Sequence, residues 1–232
     1  MSGPTDRPPS TLLDRLEVHH AAFPIGSEGF IYARRGRGPS SARDNQIPQP
    51  TRCVLRRLSS QSYVWNRIAL RPGEKTEWPV VKPDSVAVLE LRGESICFRM
   101  RNLVFFEPSI RLGTIVNSQL GWAAFESPFI ASASGHGRLA FRFDGAPSVH
   151  VCSEFEKASG QPLAVVLPGR MVVWSADSEF TPIVKRGAFN AWTFAEPGYR
   201  IERTSLVLEL GRDADGRSDA SVFASAARLI VP

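Results

Sequence analysis

Ser134-Gly135-His136-Gly137-Arg138-Leu139-Ala140-Phe141-Arg142-Phe143 can be read in two ways. Its glycines spell G-x-G-x-x-A, a form of the dinucleotide-binding fingerprint, which needs a helix directly after them so that its first amides face a pyrophosphate. After Gly137 the chain alternates instead. Leu139, Phe141 and Phe143 fall on one side and Arg138, Ala140 and Arg142 on the other, the period-two pattern of a half-buried strand. Gly135 and Gly137 are then turn residues able to take positive φ, and His136 is an exposed tip. This removes the nucleotide site and decides for β structure.

Past residue 50 the same kind of segment recurs between Gly, Pro, Asp or Ser: 61–70, 85–91, 95–100, 103–106, 137–143, 148–152, 163–167, 170–174 and 204–210. Short apolar runs at this spacing mark a sandwich or a barrel. Helix is predicted only near the ends, over 11–20, with Thr11 as cap and Leu12, Leu13 and Leu16 as apolar stripe, and over 221–229. The organisation expected is a helix and basic arm over 1–50, a β-sandwich domain over 51–212 and a C-terminal tail or helix over 213–232.

Self-similarity sharpens this. Arg67-Ile68-Ala69-Leu70-Arg71 returns 71 residues later as Arg138-Leu139-Ala140-Phe141-Arg142. Ile96-Cys97-Phe98 and Leu103-Val104-Phe105-Phe106 return 68 residues later as Ala164-Val165-Val166 and Met171-Val172-Val173-Trp174. A weaker third start is Gly198-Tyr199-Arg200-Ile201. Small sheets that cannot bury an apolar face alone must pack on one another. The fold class expected is all-β: a pseudo-symmetric β-sandwich built from repeated antiparallel sheet units, with short terminal helices.

Three elements carry a resemblance: Arg67-Ile68-Ala69-Leu70-Arg71-Pro72-Gly73-Glu74, the Gly135-His136-Gly137 turn before its strand, and Gln161-Pro162-Leu163-Ala164-Val165-Val166 running into Arg170-Met171-Val172-Val173-Trp174. Over residues 52–210 the chain resembles the altered inheritance of mitochondria protein 24 family. The resemblance implies a pseudo-threefold β-sandwich of the tryptophan RNA-binding attenuator-like type, found in bacteria and in mitochondria, where the family is associated with inner-membrane organisation. It brings no established catalytic residues. The arginine-rich stretch before residue 50 and the third unit depart from the family pattern.

Charge is unevenly spread. Residues 1–70 hold ten Arg and five Asp or Glu, whereas residues 71–232 hold eighteen of each sign, so the whole excess lies at the N-terminal end. Arg34, Arg35, Arg37, Arg43, Arg56 and Arg57 dominate it, around the polar segment Asp44-Asn45-Gln46-Ile47-Pro48-Gln49-Pro50. Residues 33–50 therefore read as a flexible arm, and the six arginines as candidate contacts to RNA phosphates or an acidic partner. No aromatic residue interleaves them as a base-stacking platform requires. The three cysteines, Cys53, Cys97 and Cys152, lie far apart, which argues against a disulfide framework and for a reducing, intracellular compartment; the resemblance implies a mitochondrial one, and a bacterial cytoplasm fits as well. No apolar run approaches the ~18 residues of a membrane span, and the first residues lack the apolar core of a secretory signal.

Catalytic patterns do not assemble. His19, His20, His136 and His150 form no H-x-H or H-E-x-x-H motif; His150 and Cys152 share a strand face but lack a third local ligand. There is no nucleophile elbow and no phosphate loop. In Asp213-Ala214-Asp215-Gly216 the calcium-loop pattern fails at its twelfth position, which is Ala224. The sequence thus assigns no catalytic, cofactor or metal residue and no small-molecule substrate. It favours a non-enzymatic scaffold or assembly protein that self-associates or docks into a larger complex. The alternatives are an RNA-contacting subunit of a ribonucleoprotein particle and a cupin-like metalloenzyme.

Overall fold

The computed structural model describes residues 11–26, 29–34, 45–46, 65–70, 76–116, 129–152, 165–166, 168–182 and 199–211. They form fifteen strands: β1 (Leu16–His19), β2 (Phe23–Pro24), β3 (Gly29–Arg34), β4 (Asn45–Gln46), β5 (Trp65–Leu70), β6 (Glu77–Trp78), β7 (Ser85–Phe98), β8 (Leu103–Phe106), β9 (Ile110–Val116), β10 (Phe129–Phe143), β11 (Ser148–Cys152), β12 (Val165–Val166), β13 (Met171–Ser175), β14 (Glu179–Pro182) and β15 (Tyr199–Glu209). Thirteen join in one antiparallel sheet, and β2 and β6 pair separately. The fold is all-β, as its alternating segments require.

One unit occurs three times. A 3-10 turn of three residues, Leu13–Arg15, Met100–Asn102 or Pro168–Arg170, runs straight into a short strand, β1, β8 or β13. After three intervening residues a further strand begins, β2, β9 or β14. Each short strand pairs antiparallel with a long strand, β1 with β7, β8 with β10 and β13 with β15, and β13 pairs with β7 as well. The third residue of each turn donates a side-chain hydrogen bond to a carbonyl at that same long strand. Arg15 Nη1 reaches Glu90 at 3.3 Å, Asn102 Nδ2 reaches Arg142 at 2.8 Å and Arg170 Nη2 reaches Leu210 at 2.8 Å. The 68-residue match in sequence is therefore β8 against β13. The third copy lies at the N-terminal end rather than at Gly198, because Tyr199 opens β15, the long strand of the β13 unit. The 71-residue match joins β5 to the second half of β10; β5 pairs with β3 and β4 and stands outside the threefold set.

β7 and β10 form the spine. They pair from Ser85↔Phe143 to Phe98↔Ala131 with one break, where Ser134 faces Ser95 but His136 faces Arg92. β7 therefore carries one more residue than β10 across the break, a β-bulge. An extra residue reverses which side chains point inward. Leu89 and Leu91 before the bulge, and Ile96 and Phe98 after it, all enter the central core with Leu139, Phe141 and Phe143. The opposite face is covered as well. Val86, Val88 and Ala140 pack with Phe23 and Trp78 of the small sheet and with Ile25 beside it, and Cys97 packs with Met171, Trp174 and Ile201. Each fully buried Phe or Leu in these layers contributes about 1.5–3 kcal/mol relative to exposure.

The segment 134–143 is thus part of a continuous strand from Phe129, not a turn with a strand after it. Gly135 has φ +121°, and a Cβ there would collide with the Ser109 carbonyl oxygen, so the glycine is required by its positive φ and by close backbone approach. His136 is exposed, in mid-strand rather than at a tip. The strands expected over 85–91 and 95–100 are likewise one, because Arg92-Gly93-Glu94 makes the bulge in place of a turn.

The N-terminal expectations need correction. Thr11 does contact the turn, donating to the Asp14 carboxylate from its amide at 2.8 Å, but only Leu13–Arg15 is helical. From Leu16 the pattern is period two, and Leu16 and Val18 pack on the central core. Leu13, expected in the apolar stripe, is exposed. A division at residue 50 fails for the same reason: β1 and β3 are strands of the main sheet, and β4, within the expected arm, pairs with β5. The expected helix over 221–229 lies outside the described residues.

Candidate functional site

Of the six candidate arginines, Arg34 is described; Arg35, Arg37, Arg43, Arg56 and Arg57 lie outside the described residues. Arg34 closes β3 opposite Trp65 and donates from Nη1 to the Arg101 carbonyl at 2.7 Å. The alternation of β3 puts Phe30, Tyr32 and Arg34 on one face, half-buried. Across from Tyr32 stands Arg67, whose guanidinium carbon lies 3.8 Å from the Phe30 ring centroid. The Phe30 and Tyr32 rings meet edge-on at 5.5 Å, and Tyr32 continues to Phe106 at 5.2 Å. Aromatic residues do therefore accompany basic ones here, through strand pairing that linear order hides. A cation stacked on an aromatic face is the arrangement that also accepts planar bases.

The glycine bulge is braced by ion pairs. Arg15, its side chain 5% exposed, is bound to Glu94, which also accepts the Arg92 amide at 2.6 Å. The Arg15 hydrogen bond, with the Arg92 amide assisting, holds the Glu94 carboxyl down at about 2. Arg138 donates from its amide and Nε to Glu107 at 2.9 and 2.8 Å, and from Nη2 to the Ile25 carbonyl at 2.8 Å. Arg92 pairs with Glu90 at 3.0 Å. Acids and bases around His136 are matched to one another, and these contacts lock the bend and tie residues 11–26 to it.

Other reactive groups are also engaged. His150 Nε2 lies 2.9 Å from Glu209 Oε2, so the imidazole considered with Cys152 faces a carboxylate of β15. Burial pushes the Cys97 thiol up to about 12, which keeps it protonated and unreactive. Ser175, Ser178 and Thr204 are buried and joined by hydroxyl contacts of 2.6–3.1 Å at the bend of β15, where Ser175 Oγ also accepts the Ser205 amide. Among the described residues no group of three or more His, Cys, Asp or Glu is placed to hold a metal ion. Among them, too, no helix is long and apolar enough to cross a membrane.

The edges of the sheet differ in chemistry. β1 carries Glu17, β9 carries Arg111, β14 carries Glu179 and Pro182, and β4 is two polar residues. Charge, proline and shortness are how sheet proteins guard an edge against unwanted pairing. β11, Ser148-Val149-His150-Val151-Cys152, has no formal charge outside its histidine, and among the described residues it pairs with β15 on one side. Val149 and Val151 are 40% and 38% exposed. Val149 stands opposite Leu208, a residue of the central core, so the apolar face of that core runs out to the edge. Sequence reasoning finds the strand but not its edge position, which depends on partners distant in the chain.

An antiparallel all-β protein with a bulged, doubly covered spine is the class that this architecture defines. No protein-family model and no curated protein matches the sequence. The fold is similar to that of a Streptococcus pyogenes protein solved by X-ray crystallography, with a TM-score of 0.56 at 11% identity over 94% of this chain and 100% of that one. That likeness concerns the fold alone.

Proposed function

We propose that this chain is a non-enzymatic assembly protein, a β-sandwich that self-associates or docks into a larger complex. The observation that carries this reading is the β11 edge, an unguarded strand that extends the central apolar face into solvent. The resemblance to the altered inheritance of mitochondria protein 24 family, associated in mitochondria with inner-membrane organisation, is compatible with an assembly role. Native mass of the full chain, purified at low salt, tests it. A defined oligomer or a stoichiometric protein complex is expected; a monomer that brings down no protein would overturn it.

A second reading, an RNA-contacting subunit, is favoured by one observation, the stacking of Arg67 on Phe30 beside Tyr32 and Arg34. Removing residues 1–50 would take away β1, β3 and β4, so the test is the double variant Arg34→Ala/Arg67→Ala. On this reading RNA binding falls in the variant, and binding by the parent chain weakens steeply as salt rises. Binding that ignores salt excludes it.

A further inference from the structure

We propose that β11 is a self-recognition strand, through which two copies of this chain pair β11 antiparallel to β11 about a two-fold axis at His150. The proposal rests on the assembly reading and names the surface and the occupant.

Three features point to a second copy. The first is sequence symmetry. Val149-His150-Val151 reads the same in both directions, so an antiparallel pair centred on His150 sets Val149 opposite the partner's Val151 and Val151 opposite the partner's Val149. A two-fold interface needs a patch of this self-complementary kind. The second is face chemistry. The four valines fall together on the face that Leu208 shares with the central core, so pairing joins the two cores across the axis. The other face carries His150, whose Nε2 lies 2.9 Å from Glu209 Oε2 of the same copy. The third is charge. In this register no Asp, Glu, Lys or Arg of β11 meets its copy, and His150 faces the partner's His150 on the axis, each beside its own Glu209, whereas the same operation at β1 would bring Glu17 against Val18 and leave both carboxylates beside the seam.

A five-residue strand pair is at the small end of interfaces, so dissociation on the order of micromolar is expected. Sedimentation velocity of the full chain from about 1 to about 500 µM spans that range. A monomer–dimer equilibrium is expected, and in Val149→Lys/Val151→Lys the dimer should weaken at least about tenfold, with the far-ultraviolet circular dichroism of the parent retained. Register is checked independently by mixing Val149→Cys protein with Val151→Cys protein. Opposite residues lie about 4.5–5.5 Å apart at Cα, within disulfide range, so an intermolecular disulfide joining position 149 of one copy to position 151 of the other should form in the mixture and be identified by peptide mass mapping. If the parent chain assembles and the lysine variant assembles equally well, or if the mixture gives no such cross-link, the β11 proposal is wrong while the assembly reading stands. If the parent chain is monomeric throughout but carries a stoichiometric protein partner, the outcome is the same. A monomer with no partner removes both.

Discussion

The β7–β10 ribbon and the β11 edge use the same alternating, β-branched vocabulary, yet they live in opposite surroundings. The ribbon is covered on both faces, and its bend is locked by Arg15–Glu94 and Arg138–Glu107. Among the described residues β11 is held along one side, and two of its valines remain open to solvent. The difference teaches that an exposed apolar strand in this protein is not a shortage of material to cover it. The chain applies charged and polar guards freely elsewhere, at Glu17, Arg111 and Glu179, and omits them at β11.

The contrast can be broken most severely from the ribbon side. Phe141 is fully buried and packs on Phe98 with ring centroids 5.3 Å apart, so Phe141→Ala should cost about 3–5 kcal/mol in a urea or guanidinium titration. A result under about 1 kcal/mol would mean that the ribbon is not the core. Gly135→Ala should come next at about 2–3 kcal/mol, because the new Cβ must evade the Ser109 carbonyl from an unfavourable φ. A neutral outcome there would show that the bulge relaxes freely.

A subtler effect comes from acid. The Glu94 carboxyl is lowered from the ordinary 4.5 to about 2, so its contribution to stability is complete above 4.5 and is lost as pH falls toward 2. In Glu94→Gln that part of the pH dependence should disappear from denaturant midpoints measured across the interval, while the midpoint near neutrality is lowered. A variant that keeps the parent's acid dependence would show that other carboxylates carry it. At the β11 edge the expected change in stability is smallest. Val149→Lys/Val151→Lys should shift the unfolding free energy of the dilute chain by no more than about 0.5 kcal/mol, since both side chains are already partly in water. A large loss of fold stability in that variant would show that the valines serve the chain's own core and would erase the contrast.

Legibility in the sequence tracks the range of the interactions. Leu103–Phe106 and Ser148–Cys152 are readable to the residue, because apolar runs end there at local turn chemistry. Arg92-Gly93-Glu94 has the composition of a turn and so cuts one strand into two on paper; a bulge differs from a turn only in what the partner strand does. Leu12, Leu13 and Leu16 satisfy helical spacing, but the alternation of Leu16 and Val18 against β7 wins once β7 is present. Of the candidate site even less is local. The contact of Arg67 with Phe30 and the edge position of β11 arise from pairings between remote segments, and no window of sequence contains both partners.

The three turn–strand units have one further consequence. Arg15, Asn102 and Arg170 perform the same task with different side chains, and the three residues separating each short strand from its successor, 20–22, 107–109 and 176–178, share no common sequence. Within a unit most letters differ, and the short strand has four residues in β1 and β8 but five in β13. Substitution leaves the inside–outside frame of a strand intact, whereas losing one residue between Ala133 and Leu139 of β10 would put Leu139, Phe141 and Phe143 on the opposite face from Ala131 and Ala133. A change of letter is therefore tolerated within a strand more readily than a change of count.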